Sequence, residues 1–310
     1  MSSRSGSRLD EAHHRVPGGL ALWWLAVRPR TLTLAAVPVL VGTALALHLG
    51  AGLDVAAFLV ALASALAIQA GTNLFNDAGD FLRGNDGPTR VGPLRVTAAG
   101  LATPGQVRRA AGLCFLAALA GGLFLALRGG WPIVAIGLAS LAAGWAYSGG
   151  PRPLSHTAWG EVFVMGFFGV VAVAGSHYLQ SGQLSAAALL LGVLVGAPAA
   201  AVLLVNNVRD LEADRLAGRR TLASVLGIGR ARRLYGALVV LPPLAIPLVA
   251  LAGVRWQALV PVLILLPLCV ALARGFLRMP PGTAMNGQLA RTARAQVLIG
   301  LVLAFGLVLA

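Results

Sequence analysis

The sequence predicts an all-α integral membrane protein with about nine transmembrane helices around a central cavity and a cytoplasmic N-terminus. Three observations carry that prediction. Of 310 residues, 58% are hydrophobic and 11% charged, with a mean hydropathy of +0.82, outside the range of a soluble globular chain. Apolar runs of about 20 residues, the length that crosses a bilayer, recur to the end of the sequence between polar or Gly/Pro-marked breaks. The arginines fall almost entirely in alternate breaks.

A polar arm, 1–27, precedes the membrane domain, 28–310. The first apolar run begins only after Arg28-Pro29-Arg30, so a cleaved signal peptide does not account for the hydrophobicity. The expected spans are 33–50, 55–73, 110–127, 131–147, 160–179, 184–205, 235–252, 256–273 and 295–310. With the N-terminus inside, the cytoplasmic segments hold 22 of the chain's 24 arginines. Only Arg128 and Arg255 lie outside, a parity that a wrong span count would scramble.

A net charge of +14 need not imply a nucleic-acid partner, because the basic residues are spread over five loops on one membrane face. Positive-inside topology accounts for them, and no nucleic-acid partner is expected. The chain has no lysine, which excludes Schiff-base chemistry through a lysine amine. Cys114 and Cys269 stand alone in apolar segments and read as packing residues.

The acidic residues are concentrated. Asp77, Asp80 and Asp86 follow the second span, and Asp210, Glu212 and Asp214 follow the sixth, so six of ten carboxylates occupy two loops on one face. Asn73, Asp77 and Asp80 stand at i, i+4, i+7; Asn206, Asp210 and Asp214 stand at i, i+4, i+8. Both spacings put the oxygens on one helical face. One reading is solvated loop charge balanced by neighbouring arginines. Against it stand the matched spacing and the cost of a carboxylate near hydrocarbon, about 2.5–3.5 kcal/mol at mid-membrane.

Asn and Asp offer hard oxygen ligands, which suit Mg2+ better than zinc or copper. Magnesium keeps several waters and usually bridges protein carboxylates to substrate phosphates. Two facing clusters therefore point to a diphosphate held through metal ions. Among the interleaved arginines, Arg83, Arg90, Arg95, Arg209, Arg215, Arg219 and Arg220, some would add bidentate phosphate contacts.

The chain resembles the UbiA superfamily of intramembrane aromatic prenyltransferases. The first signature of that family, Asn-x-x-x-Asp-x-x-Asp, stands here as Asn73, Asp77 and Asp80, and the second, Asp-x-x-x-Asp, as Asp210 and Asp214. RPRTLTLAAVPVLVGTALA at 28–46 resembles its first helix. Within the superfamily, NLFNDAGDFLRGNDGPTRVGPLR (73–95), YSGGPRPL (147–154), GEVFVMGFFGVVAVAGSHYLQ (160–180) and NNVRDLEADRLAGRRTLASVLG (206–227) resemble the branch acting on 1,4-dihydroxy-2-naphthoate. The pattern of the 4-hydroxybenzoate branch, an arginine directly after the last aspartate of the first signature, is not seen; Phe81 stands there.

The resemblance implies Mg2+-assisted loss of diphosphate from a polyprenyl diphosphate. Attack by the aromatic ring follows, with loss of the ring carboxylate, giving demethylmenaquinone in a bacterial cytoplasmic (inner) membrane. It implies catalytic and metal-binding roles for Asp77, Asp80, Asp210 and Asp214, with Asn73 as a further metal ligand. Substrate contacts are expected from Asn73, Asn76, Arg83, Arg95, Tyr147, Asn206, Asn207, Arg209 and Arg219. The lipid bilayer is the remaining partner.

Other residues leave readings open. Tyr147 orients the aromatic substrate or is an interfacial tyrosine. Glu161 assists deprotonation of the aromatic hydroxyl, or merely suits a helix N-terminus. His177 and Tyr178 read as far-face anchors, Asp54 as a lone outer acid, His13 and His14 as residues of the polar arm, and His48 and His156 as residues without a visible partner. Asn286 and Gln288 are possible site residues. A secondary transporter is the reading from another class, but its acids would lie near the midplane. A CDP-alcohol phosphotransferase lacks its signature here.

Overall fold

The computed structural model describes residues 18–86, 92, 94–150 and 153–310. His13, His14, Arg90 and most of the N-terminal arm lie outside the described residues. The described residues are helical, with no strand among them. The last part of the arm is a short helix, α1 (Gly19–Ala26). Then follow α2 (Pro29–His48), α3 (Val55–Leu82), α4 (Pro104–Ser148), α5 (Gly160–Met165), a π-helical turn Gly166–Val171, and α6 (Ala172–Ser181). The second half contains α7 (Ala186–Arg209), α8 (Leu211–Leu216), α9 (Leu222–Leu226), α10 (Ile228–Leu244) and α11 (Ile246–Leu251). It ends with α12 (Trp256–Leu259), a 3-10 segment, α13 (Leu266–Arg278) and α14 (Met285–Leu309).

Among the described residues, seven helical runs are long and apolar enough to cross a membrane. One of them, α4, has 45 residues, so a straight helix would reach about 68 Å, twice the hydrocarbon thickness. It is not straight. Gly130 breaks it at φ 67 and ψ −158, a region essentially open to glycine alone. A Cβ on Gly144 would lie 3.2 Å from Phe115 Cε1, so the two arms run back alongside each other. The expected spans 110–127 and 131–147 are these arms. The expected span 235–252 falls on α10 and α11, neither long enough alone to count among the seven.

Leu123, Leu127, Ile264 and Phe305 are more than half exposed, as befits residues that face lipid tails. The interior relies on small residues that let backbones approach. At the π-helical turn, a Cβ on Gly169 would sit 2.3 Å from Gly192 O and 2.6 Å from Gly196 Cα on α7. Neither neighbour is a side chain that can rotate away. Gly169→Leu is therefore expected to cost about 3 kcal/mol or more and to leave little monodisperse protein by fluorescence-detected size exclusion. Gly166→Leu, where a Cβ meets nothing within 4 Å, is the tolerated control; equal yields would show the seam to be adaptable.

The end away from the acidic clusters is stapled. Asp54 caps α3 by accepting from Ala57 N at 2.9 Å. It is not alone, because Arg128 Nε donates to its Oδ2 at 2.8 Å. His48 also has partners: Nδ1 lies 2.9 Å from Leu307 O, and Nε2 accepts from Arg255 N at 3.2 Å. His177 is buried against α2 rather than anchored at an interface, with its backbone N 3.1 Å from where a Gly42 Cβ would stand. The two arginines outside the charge parity are thus both engaged at this end. Cys114 and Cys269 are free thiols.

Candidate active site

Hydropathy places the end of the second span near residue 73, but α3 continues to Leu82. Asn73, Asp77 and Asp80 therefore sit inside a helix, all three buried, and only Asp86 lies beyond it. Asn73 donates through Nδ2 to Val27 O at 2.8 Å and to Thr31 Oγ1 at 2.9 Å. Those bonds fix the corner between α1 and α2, where Arg28 holds φ 55. Arg28 is the only non-glycine described residue at positive φ, and such strain clusters at functional sites.

Asp77 and Asp80 have different surroundings. The carboxylate of Asp77 accepts from Val96 N at 3.1 Å, Thr97 N at 3.2 Å and the Thr97 hydroxyl. It anchors the connection between α3 and α4. Asp80 gathers three guanidinium groups, Arg95 Nη1 at 2.7 Å, Arg219 Nη2 at 3.1 Å and Arg83 Nη2 at 3.3 Å, and the imidazole of His156, whose Nε2 lies at 3.4 Å. His156 therefore has a partner that its position in the sequence does not reveal. Its carbonyl also accepts from Arg220 N at 3.0 Å.

The second cluster keeps its helical spacing across a helix break. α7 stops at Arg209 and α8 begins at Leu211, yet Asp210 N donates to Asn206 O at 3.0 Å and Asp214 N to Asp210 O at 2.8 Å. Arg209 is buried and holds four oxygens: Asp210 Oδ1 at 2.8 Å and Oδ2 at 2.6 Å, Asn206 Oδ1 at 2.7 Å and Asn286 Oδ1 at 2.9 Å. Asn286 thereby joins the site, while Gln288 turns away to Tyr235 OH and Leu272 O, both at 3.0 Å. Asn207 donates to Glu161 Oε1 at 2.8 Å. Among the described residues Arg215 pairs with the exposed Glu212, at 3.6 Å, outside the site.

Arg219 brings the clusters together. Its Nη2 reaches Asp80 and its Nη1 reaches Asp214 Oδ1 at 3.3 Å. Burial pushes the Asp214 carboxyl up to about 6; Arg219 opposes this, and the like charges of Asp210 and Asp80 add to it. A cation near these three carboxylates would relieve that repulsion.

The donor set fits magnesium: carboxylate and amide oxygens, including the buried Asn76 Oδ1, which has no hydrogen-bond partner among the described residues. Among the described residues no closed cage of three acidic, His or Cys ligands is assembled. Two half-sites of oxygen donors suit an ion that completes its shell from water and phosphate.

Beneath the clusters lies a cavity of about 240 Å³. Asn73, Asn206 and Arg28 stand at its mouth, Tyr147 lines it, and Leu34, Phe163, Val164 and Phe168 are among its apolar walls. A charged rim above an apolar well can hold an anionic head and a hydrocarbon body at once. Sequence reasoning missed His156, Arg28 and the Val96-Thr97 pair. Arg28 carried a signal, its place before Pro29 at a helix start, but was absorbed into the topology count.

A profile of the UbiA prenyltransferase family matches residues 35–289. The chain is 41% identical over 219 residues to the 1,4-dihydroxy-2-naphthoate octaprenyltransferase of Mycobacterium tuberculosis, covering 71% of this chain and 74% of that protein. It is 35% identical to the enzyme of the same name from Escherichia coli, covering 93% and 95%. Among solved structures, a UbiA homolog from Archaeoglobus fulgidus bound to GPP and Mg2+ superposes with a TM-score of 0.66 at 16% identity, over 93% of this chain and 100% of that one. The likeness in fold spans the bundle, the likeness in sequence spans both acidic clusters, and the chain belongs to the UbiA prenyltransferase family.

Proposed function

We propose that this protein transfers a polyprenyl group from polyprenyl diphosphate to 1,4-dihydroxy-2-naphthoate, with loss of the ring carboxylate and diphosphate, giving demethylmenaquinol, the reduced form of demethylmenaquinone. The observation that carries the reading is the Asp80–Arg219–Asp214 bridge set over an apolar cavity with Tyr147 on its wall. The names of the two bacterial relatives support the acceptor.

In the reaction the allylic C–O bond breaks, a bond from the prenyl carbon to the ring forms, and carbon dioxide leaves. Asp80, Asp210 and Asp214, with Asn73 and Asn76, are the residues that would hold Mg2+. Bound there, it supplies charge neutralisation at the leaving diphosphate. Arg95, Arg83 and Arg219 present guanidinium N–H groups already oriented at the rim, so little reorganisation is needed to meet phosphate oxygens. Asp77 holds the Arg95 segment in place. The walls contributed by Phe163, Phe168 and Leu34 exclude water, which would otherwise capture the allylic cation. Tyr147 borders the space left for the aromatic ring.

The arginine distribution and the bacterial relatives support a multi-pass place in a bacterial cytoplasmic membrane, with the acidic clusters facing the cytoplasm. Reporter fusions in the α3–α4 and α7–α10 connections test the sidedness; a periplasmic signal from either would reverse it.

The deciding experiment offers purified protein octaprenyl diphosphate with dihydroxynaphthoate or 4-hydroxybenzoate, with Mg2+ or with EDTA. Product from the naphthoate alone, lost on chelation and restored by added Mg2+, is expected. Transfer only to the benzoate would discard the acceptor, and metal-independent product would discard the clamp.

A further inference from the structure

Gln69 precedes Asn73 by one turn of α3, on the side away from Asp77 and Asp80. Four residues of helix put it about 6 Å deeper than Asn73. It is 6% exposed and lines the cavity together with Asn73, Tyr147, Phe163 and Phe167.

A chain of bonds fixes which way its amide faces. Asn73 Nδ2 donates to Val27 O at 2.8 Å and to Thr31 Oγ1 at 2.9 Å, and the Thr31 hydroxyl gives its own proton to Arg28 O at 3.0 Å. Both protons of the Asn73 amide are therefore committed, and its Oδ1 is left to Gln69. Gln69 Nε2 donates to that oxygen at 3.5 Å; the flipped amide would set two oxygens against each other. The atom left over is Gln69 Oε1, which is buried and has no hydrogen-bond partner among the described residues. Thr72 cannot supply the missing proton, because its hydroxyl donates to Ile68 O at 2.8 Å.

A buried amide oxygen without a donor is costly to the fold, and on a cavity wall it is a binding group for an O–H or N–H. Carboxylates and ethers bring only lone pairs and do not satisfy it. The matching ligand is a hydroxylated ring, and the aromatic side chains beside Gln69 suit its faces.

In dihydroxynaphthoate the 1-hydroxyl lies beside the carboxylate and bonds to it internally, which leaves the 4-hydroxyl free across the ring. Resting on the reading above that this ring is the acceptor, we propose that Gln69 Oε1 accepts a hydrogen bond from its 4-hydroxyl. The carboxylate then faces the rim, where the guanidinium groups gather. Gln69 thereby favours rings with a hydroxyl at that depth and fixes which edge meets the prenyl group.

The test is anaerobic titration calorimetry of the purified protein with dihydroxynaphthoate and with 1-hydroxy-2-naphthoate, which lacks the 4-hydroxyl. Wild-type protein is expected to bind the second at least tenfold more weakly; equal affinities overturn the proposal without recourse to a variant. Gln69→Leu is expected to weaken the dihydroxy acid at least tenfold and the monohydroxy acid less than twofold. A merely structural role would weaken both alike, or raise the KM for octaprenyl diphosphate as much as that for the naphthoate, and either result overturns the proposal. If transfer goes only to 4-hydroxybenzoate, the naphthoate reading fails, and Gln69 is decided by that acid against benzoate with the same tenfold and twofold limits. A protein that binds no hydroxylated acid overturns both.

Discussion

Asp80→Asn is expected to abolish measurable prenyl transfer. The substitution keeps the shape of the side chain but removes the charge on which Arg95, Arg219, Arg83 and His156 converge. It also turns an amide NH2 toward groups that are themselves donors. Breaking a buried ion pair by removing one partner costs about 3–5 kcal/mol. Expressed wholly in the barrier, that is roughly two to three and a half orders of magnitude in rate. Arg95 retains Asp86, whose Oδ2 lies 2.9 Å away, and Arg219 retains Asp214, so the fold has secondary anchors. Catalysis therefore falls further than stability. Transfer assays beside thermal melts separate the two, and near-normal turnover in a variant with an unchanged melt would remove Asp80 from the reaction.

Asp77→Leu should fail by another route. Three groups donate to this carboxylate from Val96 and Thr97, both buried. Leucine leaves the two backbone amides unsatisfied, at about 1–3 kcal/mol each, while the Thr97 hydroxyl keeps the backbone carbonyl of residue 77 at 3.3 Å. The expected result is a loosened 94–103 segment, cut rapidly by limited proteolysis, with Arg95 withdrawn from the rim and activity lost with it. A ligand role alone would instead shift the magnesium requirement and leave proteolysis unchanged. Wild-type cleavage kinetics in the leucine variant would sink the anchoring account. Asp77 and Asp80 are three residues apart on one helix, and the two results should differ because one faces backbone N–H groups and the other guanidinium groups.

Much of this arrangement was legible in the sequence because it rests on periodicity. The i, i+4, i+8 spacing of Asn206, Asp210 and Asp214 predicted a common face, and backbone bonds carry that face across the break at Asp210. Apolar runs located the helices, with Gly130 between two of them. Hydropathy was less informative about where helices stop: it marks the edge of the hydrocarbon, whereas α3 keeps its hydrogen-bonded ladder through polar residues to Leu82. Contacts between distant segments left no local trace. Nothing around His156 announces Asp80, 76 residues away, and nothing around Thr97 announces Asp77. Arg28 was hidden differently, since one basic residue at a helix start serves topology and a binding rim equally well.

The Arg219 bridge also has a consequence for how the protein is made. Asp80 and Arg219 are 139 residues apart, and chains emerge at about 5–20 residues per second. The helix that bears Asp80 is thus synthesised roughly 7–28 s before its most distant cation. During that interval the carboxylate has Arg83 and Arg95, three and fifteen residues downstream, to accompany it into the membrane. Those two arginines would serve as escorts during insertion, with Arg219 arriving last to join Asp80 to Asp214. Ribosome stalling downstream of residue 95 should yield a stably inserted α3, whereas truncation just after Leu82 should leave that helix prone to slip back out.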